Sequence, residues 1–207
     1  MKKLGISFLA LSSLLFLGAC SNNNGETTKL EKTIESLESE NKNLNDKLKE
    51  LTTAGDTEDE IKFSKVGIVE YTVTSVKTDE VENKQENYTN AEYNFQGITS
   101  MPNKYYRTVI NYQLKNEGDK AFALNTYQAR IIDDDNIEYT RTGADKFLYD
   151  ENSNGLVQPG TSTTGSFYLI SKEAPKITNF KISVSEQSPD NYADGPLGEA
   201  GVAEMIK

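Results

Sequence analysis

The sequence predicts a mainly β protein: an antiparallel β-sandwich preceded by a single α-helix. Three observations support this fold class. Near the amino terminus, apolar residues recur every three to four positions, which is typical of a helix. From residue 66 onward they alternate with polar residues, and turn-forming residues separate the alternating segments. The alternating part is about 125 residues long, which is enough for one sandwich core.

The composition excludes several kinds of chemistry. The chain has 207 residues, no histidine, a single cysteine and a net charge of −10. Without histidine there is no Ser-His-Asp triad, no Cys-His pair and no imidazole-ligated zinc or haem. The acidic balance disfavours nucleic-acid binding, which needs a surface of Lys and Arg. We therefore expect a protein that is not an enzyme, has no cofactor and does not bind nucleic acid.

The first twenty residues have the pattern of an export signal. Lys2 and Lys3 precede an apolar run at 4–17, which is shorter than the roughly 20 apolar residues that span a bilayer. The run ends in the sequence LGAC, followed by SNNNG. Small residues directly before a cysteine resemble the bacterial lipobox.

The lipobox resemblance implies a lipid anchor at Cys20. It implies cleavage between Ala19 and Cys20, a diacylglyceryl thioether on the cysteine, and retention at the outer face of the cell membrane. Two acyl chains suffice for stable anchoring, whereas one chain is marginal. The signal peptide is then 1–19 and the lipidated tether is 20–26. The alternatives are a plain secretory signal with an incidental cysteine, or a short buried core helix.

A heptad pattern predicts a helical spacer, with coiled-coil character, at 27–54. The candidate oligomer seam consists of Leu30, Ile34, Leu37, Asn41, Leu44, Leu48 and Leu51. Leucine occupies every d position, and an Asn at one a position favours an in-register dimer. The sequence therefore predicts a homodimer through this helix. The alternative is a solvated amphipathic spacer, because three heptads are short and the segment is strongly acidic.

A polar linker at 55–62 leads into the sandwich, which we place at 63–186. Its predicted strands are Val66–Lys77, Tyr105–Lys115, Phe122–Ile132, Ile137–Arg141, Gly165–Ser171 and Ile177–Ser185. In the second strand, the alternate residues from Tyr106 to Leu114 form the predicted inward face, so each strand has one buried side and one solvated side. The remaining segment, 187–207, is acidic and is expected to be a disordered tail.

The motifs of the sandwich resemble a known family in their order and spacing. YQLKNEG at 112–118 is followed by RIIDDD at 130–135, and LVQPG at 156–160 leads into TGSFYL at 164–169. Together they resemble the immunoglobulin-like domain of unknown function that is common in Gram-positive lipoproteins. The resemblance covers roughly 62–186. It implies an extracytoplasmic immunoglobulin-like β-sandwich with no established activity.

A long aperiodic segment, Thr78–Lys104, separates the first two predicted strands. A loop of this length inside a compact domain is usually functional or disordered. On the functional interpretation it is a partner-binding loop, with Tyr88, Tyr93 and Phe95 as candidate contacts. On the alternative interpretation Tyr93, Phe95 and Ile98 fold back, as an extra strand or as a cover for one end of the sandwich.

The sequence contains one acidic turn, Asp133–Asn136, whose side-chain oxygens could bind Ca²⁺. It lacks the spacing of an EF-hand, and Asp and Asn are ordinary hairpin residues, so we expect no metal site. The predicted function is a membrane-anchored, extracytoplasmic binding module at the cell surface, with a protein or a cell-wall polymer as partner. The alternative is a lipoprotein that binds a soluble ligand or metal ion for a transporter, although a single sandwich lacks a two-lobed cleft.

Overall fold

The computed structural model describes six stretches of the chain. They are residues 32–34, 36–42, 60–125, 128–152, 155–190 and 195–206. The chain divides into two compact units, 1–46 and 47–207.

The first unit contains an N-terminal helix. Residues 32–34 and 36–42 are helical, within the predicted spacer. Ile34 and Leu37, at neighbouring seam positions, are 54% and 53% exposed. The predicted anchor Cys20 and four seam residues, Leu30, Leu44, Leu48 and Leu51, lie outside the described residues. No helix within the described stretches has the length and hydropathy needed to cross a bilayer.

The second unit is mainly antiparallel β. Its described strands are β1 (Ile61–Lys62), β2 (Val69–Glu82), β3 (Lys104–Asn116), β4 (Phe122–Leu124), β5 (Ala129–Ile132), β6 (Glu138–Tyr139), β7 (Lys146–Asp150), β8 (Gly155–Val157), β9 (Ser162–Ser171), β10 (Lys181–Val184) and β11 (Gly201–Ala203). They form a five-stranded sheet in the order β1-β2-β3-β9-β7, a four-stranded sheet in the order β11-β10-β5-β6, and the pair β4-β8. The predicted class, mainly antiparallel β, is confirmed.

One core joins the sheets into a sandwich-like arrangement. Val73, Ile110 and Phe167 come from the five-stranded sheet, and Ile131 and Ile182 come from the four-stranded sheet. All five are fully buried. Burying an apolar side chain of this size contributes about 1.5–3 kcal/mol. The inward faces of the two sheets are thus held together by apolar burial.

The alternation in β3 predicted its inward face correctly over most of the strand. Ile110, Tyr112 and Leu114 are buried, and the residues between them are exposed. At the start of the strand the pattern reverses, because Tyr105 is buried and Tyr106 is only partly so. Tyr105 lies on the outer face of the sheet, so another layer must cover that face here.

The predicted strand Phe122–Ile132 is wrong as one element. β4 pairs with β8, whereas β5 pairs with β10, so the chain changes sheets between them. Asn125 marks the change: its carbonyl accepts from the backbone N–H of Gln128 at 3.0 Å, and its side-chain amide donates to Gln128 Oε1 at 3.1 Å. Asn is a common turn residue because its side chain bonds nearby groups.

The predicted disordered tail is corrected for its described residues. β11 pairs with β10, placing Ala203 in the core. On its other side the tail bonds the start of the domain: the Ser64 N–H donates to the Glu204 carbonyl, and the Ile206 N–H to the Lys62 carbonyl, both at 2.8 Å. Acidic composition indicated a solvated extension, but backbone bonding to both neighbours and one buried alanine order this segment.

Gln187 connects this tail to the rest of the domain. Its side chain is fully buried. Oε1 accepts from the backbone N–H of Ile68 at 3.0 Å, and Nε2 donates to the Ser185 carbonyl at 2.5 Å. Its own backbone N–H donates to the Gly198 carbonyl at 2.9 Å.

Replacing Gln187 with alanine is expected to lower the free energy of unfolding by about 2 kcal/mol. The substitution leaves the Ile68 N–H without its acceptor, and a part-buried donor without a partner costs about 1–3 kcal/mol. Urea denaturation of the full chain measures the change. Gln158→Ala is the control, because Gln158 is exposed and should change stability by less than about 0.5 kcal/mol. Equal effects of the two substitutions would contradict this role of Gln187.

Candidate functional site

The segment between β2 and β3, residues 83–103, forms a third layer and is called the insertion below. It contains two short 3₁₀ turns, Gln85–Asn87 and Ile98–Ser100, and the helix α1 (Asn90–Asn94). It packs on the outer face of the five-stranded sheet through a second apolar cluster: Val81, Ala91, Phe95, Ile98, Met101, Tyr105, Phe147 and Ile170. The insertion therefore covers one end of the sheet, as one interpretation predicted, but with turns and a helix instead of a strand.

Glu92 fastens the insertion to the sheet. Its carboxylate is fully buried. Oε1 accepts from the Tyr105 hydroxyl and from Arg107 Nη1, each at 3.1 Å. Oε2 accepts from the backbone N–H of Thr89 at 2.8 Å and from the Thr89 hydroxyl, as in a capping box at the start of α1. A buried carboxylate is tolerated when its charge is paired and its oxygens are bonded, and both conditions are met here.

Tyr105 is fixed as the donor in this network. Burial raises the pKa of the Tyr105 hydroxyl well above its usual range, and the neighbouring Glu92 carboxylate raises this pKa further. The hydroxyl therefore keeps its proton and continues to donate to Glu92. The insertion is held to β3 by a charge-assisted hydrogen bond from Tyr105 to Glu92 and by the Arg107–Glu92 ion pair. It is also held by a hydrogen bond from Arg107 Nη1 to the Asn87 carbonyl at 3.2 Å.

The structure separates the three predicted contact residues. Phe95 is buried and stacks on Phe147, with ring centroids 4.5 Å apart, so its predicted role as a contact residue is corrected to a core role. Tyr88 is half-buried, and its hydroxyl donates to Asn83 Oδ1 at 2.6 Å. Tyr93 is 62% exposed, with its ring edge-on to Tyr88 at 5.7 Å. Of the three, Tyr93 presents the largest surface to a partner.

A cavity of about 450 Å³ lies beside the exposed part of the insertion. Residues 94–97 and Ser100 form one side, and residues 141–144 form the other. Arg141 is the charged side chain among these described lining residues, and its guanidinium lies 5.6 Å from the ring centre of Tyr149. Since Arg only donates hydrogen bonds, the cavity suits a carboxylate or carbonyl oxygen. Sequence reasoning did not identify Arg141, because no motif surrounds it.

The carboxylates of the acidic turn, 133–136, make structural contacts. Asp133 is buried and forms an ion pair of 2.6 Å with Lys146. Asp134 accepts from the backbone N–H of Asn179 at 2.9 Å. Over the described ranges, no group of three or more Asp, Glu, His or Cys side chains is placed to hold a metal ion.

The family comparison supports a domain of unknown function, as the motifs led us to expect. Residues 62–189 match the model of the domain of unknown function DUF4352. A functionally unknown protein from Listeria monocytogenes EGD-e is similar in structure: it is 10% identical with a TM-score of 0.45, and the match covers 72% of this chain and 83% of that one. The yjhA protein from Bacillus subtilis is 12% identical with a TM-score of 0.39, and the match covers 68% of this chain and 93% of that one. No curated protein matches the chain. Because the family model spans more than half of the sequence, the chain belongs to the DUF4352 family of domains of unknown function.

Proposed function

We propose that this protein is a membrane-anchored, extracytoplasmic lipoprotein of the Gram-positive type that acts as a non-enzymatic binding module at the cell surface. One observation carries the binding role: the insertion holds Tyr93 at 62% exposure on a well-packed support. Exposed aromatic side chains on a rigid support give large contact area at low cost in side-chain entropy. The sandwich is assigned to the immunoglobulin-like type on the order of its motifs.

The proposed partner at the insertion is a protein. Tyr93 supplies an aromatic contact, and the next residue along the chain, Asn94, lines the cavity in which Arg141 can donate to an acidic side chain or a carbonyl oxygen. Tyr and Arg are the residue types enriched where binding energy concentrates in protein interfaces.

A photo-crosslinking amino acid placed at Tyr93 in living cells tests this surface. The control position is Val202, which is 46% exposed and lies in the four-stranded sheet. We expect a discrete protein adduct from position 93 that position 202 does not give and that Arg141→Ala abolishes. The same adducts from both positions, or none from position 93, would reject the insertion as a protein-binding surface.

The proposed anchor is the lipid on Cys20. Metabolic labelling with a tagged fatty acid should label the natural chain, which should partition with membranes. Cys20→Ala should lose both the label and the membrane fraction, whereas Ser21→Ala, the neighbouring control, should keep both. Persistent labelling of Cys20→Ala rules the anchor out.

The helix is proposed to pair with a second copy of itself. Its support is the exposure of Ile34 and Leu37 at neighbouring positions of the seam. Confinement to a membrane raises the local concentration of the chain and favours a weak coiled coil. A cysteine in place of Leu44 should crosslink two copies in the membrane. Monomers both in that experiment and in sedimentation of the full chain in detergent would exclude the dimer.

A second candidate function, soluble-ligand binding for a transporter, is favoured by the size of the cavity beside Arg141. Its volume of about 450 Å³ falls in the range of small-molecule sites. A rise in melting temperature with a small carboxylate such as citrate, lost in Arg141→Ala, would support this candidate. No response to small carboxylates, together with a protein adduct from Tyr93, would reject it.

A further inference from the structure

A polar cleft of about 510 Å³ lies on the same sheet face as the insertion but toward its uncovered end. Eight of the described residues line it, and seven of them have polar side-chain atoms: Thr74, Asn111, Tyr112, Glu151, Asn152, Thr164 and Ser166, with Gly165 as the eighth. Asn111 is four residues along β3 from Arg107, which the insertion contacts, and this corresponds to about 13 Å along a strand. Thr74 lies at the irregularity in β2 between Val73 and Ser75. The cleft is therefore distinct from the cavity beside Arg141.

A chain of hydrogen bonds crosses three strands at this cleft: Asn111 and Ser166 line it, and Ser75, next to the lining residue Thr74, ends the chain. The Ser166 hydroxyl donates to Asn111 Oδ1, and Asn111 Nδ2 donates to Ser75 Oγ, both at 2.7 Å. The strand register places the three residues side by side on β9, β3 and β2. Because each bond runs in the same direction, Ser75 keeps a hydroxyl proton to donate and Ser166 keeps lone pairs to accept.

The wall of the cleft supplies further acceptors. Asn152 Nδ2 donates to Thr163 Oγ1 at 2.9 Å and to the Thr164 carbonyl at 2.7 Å. Both of its amide protons are thus used, which leaves its side-chain oxygen to accept. The Glu151 carboxylate accepts from the Tyr168 hydroxyl at 3.3 Å and has further lone pairs. A ligand for this cleft must both donate and accept hydrogen bonds at closely spaced atoms.

Two tyrosines extend the surface next to this polar row. Tyr168 and Tyr149 are paired across β9 and β7, and their ring centroids are 6.4 Å apart. Both are half-buried, so each ring is held in place but still reaches the surface. Aromatic surface beside a few fixed polar groups is the usual composition of a small-ligand site.

The charge of the residues that line the cleft limits which ligands it can bind. Glu151 is the charged side chain among the described residues that line the cleft, and none of those residues is basic. None of the described lining residues supplies a cation to offset a phosphate or carboxylate beside Glu151, and Arg141 lies over the Tyr149 ring, outside the lining. The ligand should therefore carry no negative charge.

We propose that this cleft binds an uncharged oligosaccharide. Each sugar hydroxyl is both a donor and an acceptor, as the two ends of the Ser166–Asn111–Ser75 chain require. The apolar C–H face of a sugar ring can pack on Tyr168, whose hydroxyl bonds the cleft residue Glu151. This site does not depend on a protein partner at the insertion, so the glycan test and the Tyr93 crosslinking test succeed or fail separately.

Nuclear magnetic resonance titration of the full, isotope-labelled chain in detergent tests the proposal. The probes are the tetrasaccharides of β-1,4-linked glucose and β-1,4-linked N-acetylglucosamine, with tetragalacturonate as the anionic comparison. We expect the neutral probes to shift the side-chain amide signals of Asn111 and Asn152, to leave the Asn94 amide unmoved, and to bind more tightly than the anionic probe.

Two substitutions make the test specific. Asn111→Ala removes the middle of the hydrogen-bond chain and should weaken neutral-sugar binding about tenfold or more. Ser166→Ala gives an independent variant with the same expected direction, and Asn90→Ala, at an exposed position in the insertion that lines neither cavity, should leave the affinity unchanged. The proposal is overturned by the absence of shifts at both amides with either neutral probe, by shifts confined to Asn94, or by equal binding of tetragalacturonate.

Discussion

Replacing Glu92 with alanine is expected to destabilise the protein by about 3 kcal/mol or more. The substitution removes one partner of a buried ion pair, and such losses cost about 3–5 kcal/mol because the remaining charge is left unpaired. Arg107 is only 19% exposed, so water cannot fully replace the carboxylate. The buried Tyr105 hydroxyl also loses its acceptor. Urea denaturation of the full chain at pH 7 measures the effect.

The control for this prediction is Glu86→Ala. Glu86 belongs to the same insertion and has the same charge, but it is exposed, so its removal should change stability by less than about 0.5 kcal/mol. Glu92→Gln keeps the shape of the side chain without its charge and should fall between the two. If Glu92→Ala costs no more than Glu86→Ala, the insertion is not fastened by this carboxylate.

The second large effect concerns the pH dependence of stability through Asp150. This carboxyl group is buried, and burial raises its pKa to about 6. Hydrogen bonds from the Tyr112 hydroxyl at 2.8 Å and the Asn152 N–H at 3.1 Å, both to Oδ1, oppose the rise, as does the charge of Arg141. Glu151 raises it slightly.

Asp150 stabilises the folded protein when its carboxyl group is neutral. Since the pKa in the folded protein exceeds the ordinary value of 3.8, folding favours the neutral form of Asp150. The resulting stabilisation is complete below about pH 3.8 and is lost as the pH rises through about 6. At pH 8 the ionised group lowers stability by about 3 kcal/mol relative to its neutral form.

Asp150→Asn should remove this dependence. The difference in free energy of unfolding between Asp150→Asn and the natural chain should shift by about 3 kcal/mol in favour of the variant when the pH is raised from 3.5 to 8. Asn can keep both hydrogen bonds, because both are accepted by one oxygen. Asp119→Asn, at an exposed position, should show no such change. A parallel pH profile for Asp150→Asn and the natural chain would show that the buried carboxylate does not titrate as described.

Alternation in the sequence was sufficient to predict β3 and the class of the fold, because one side of that strand faces solvent for most of its length. It could not reveal β7. Phe147 packs under the insertion on one side of the sheet and Leu148 packs in the main core on the other. With both sides covered, the period of two disappears from the sequence.

The candidate site was only partly predictable for a related reason. Tyr93 and Phe95 are both aromatic residues in an aperiodic segment, and their different exposure depends on Phe147, which is distant in sequence. One local signal was available: Thr89 followed three residues later by Glu92 is a capping box that marks the start of α1. The second role of Glu92, its ion pair with Arg107, could be identified only from the tertiary structure.

Hydrogen exchange at the insertion tests most directly whether it is an ordered binding platform. The Phe95 N–H donates to the Glu92 carbonyl and the Met101 N–H to the Ile98 carbonyl, both at 3.1 Å, and the Asn83 N–H donates to the Asn103 carbonyl at 2.8 Å. In the full chain these three amides should exchange much more slowly than in an unfolded chain, and Glu92→Ala should accelerate them while leaving the amides of β9 protected. Uniformly fast exchange across 83–101 in the natural chain would contradict an ordered insertion and, with it, the binding surface built on Tyr93.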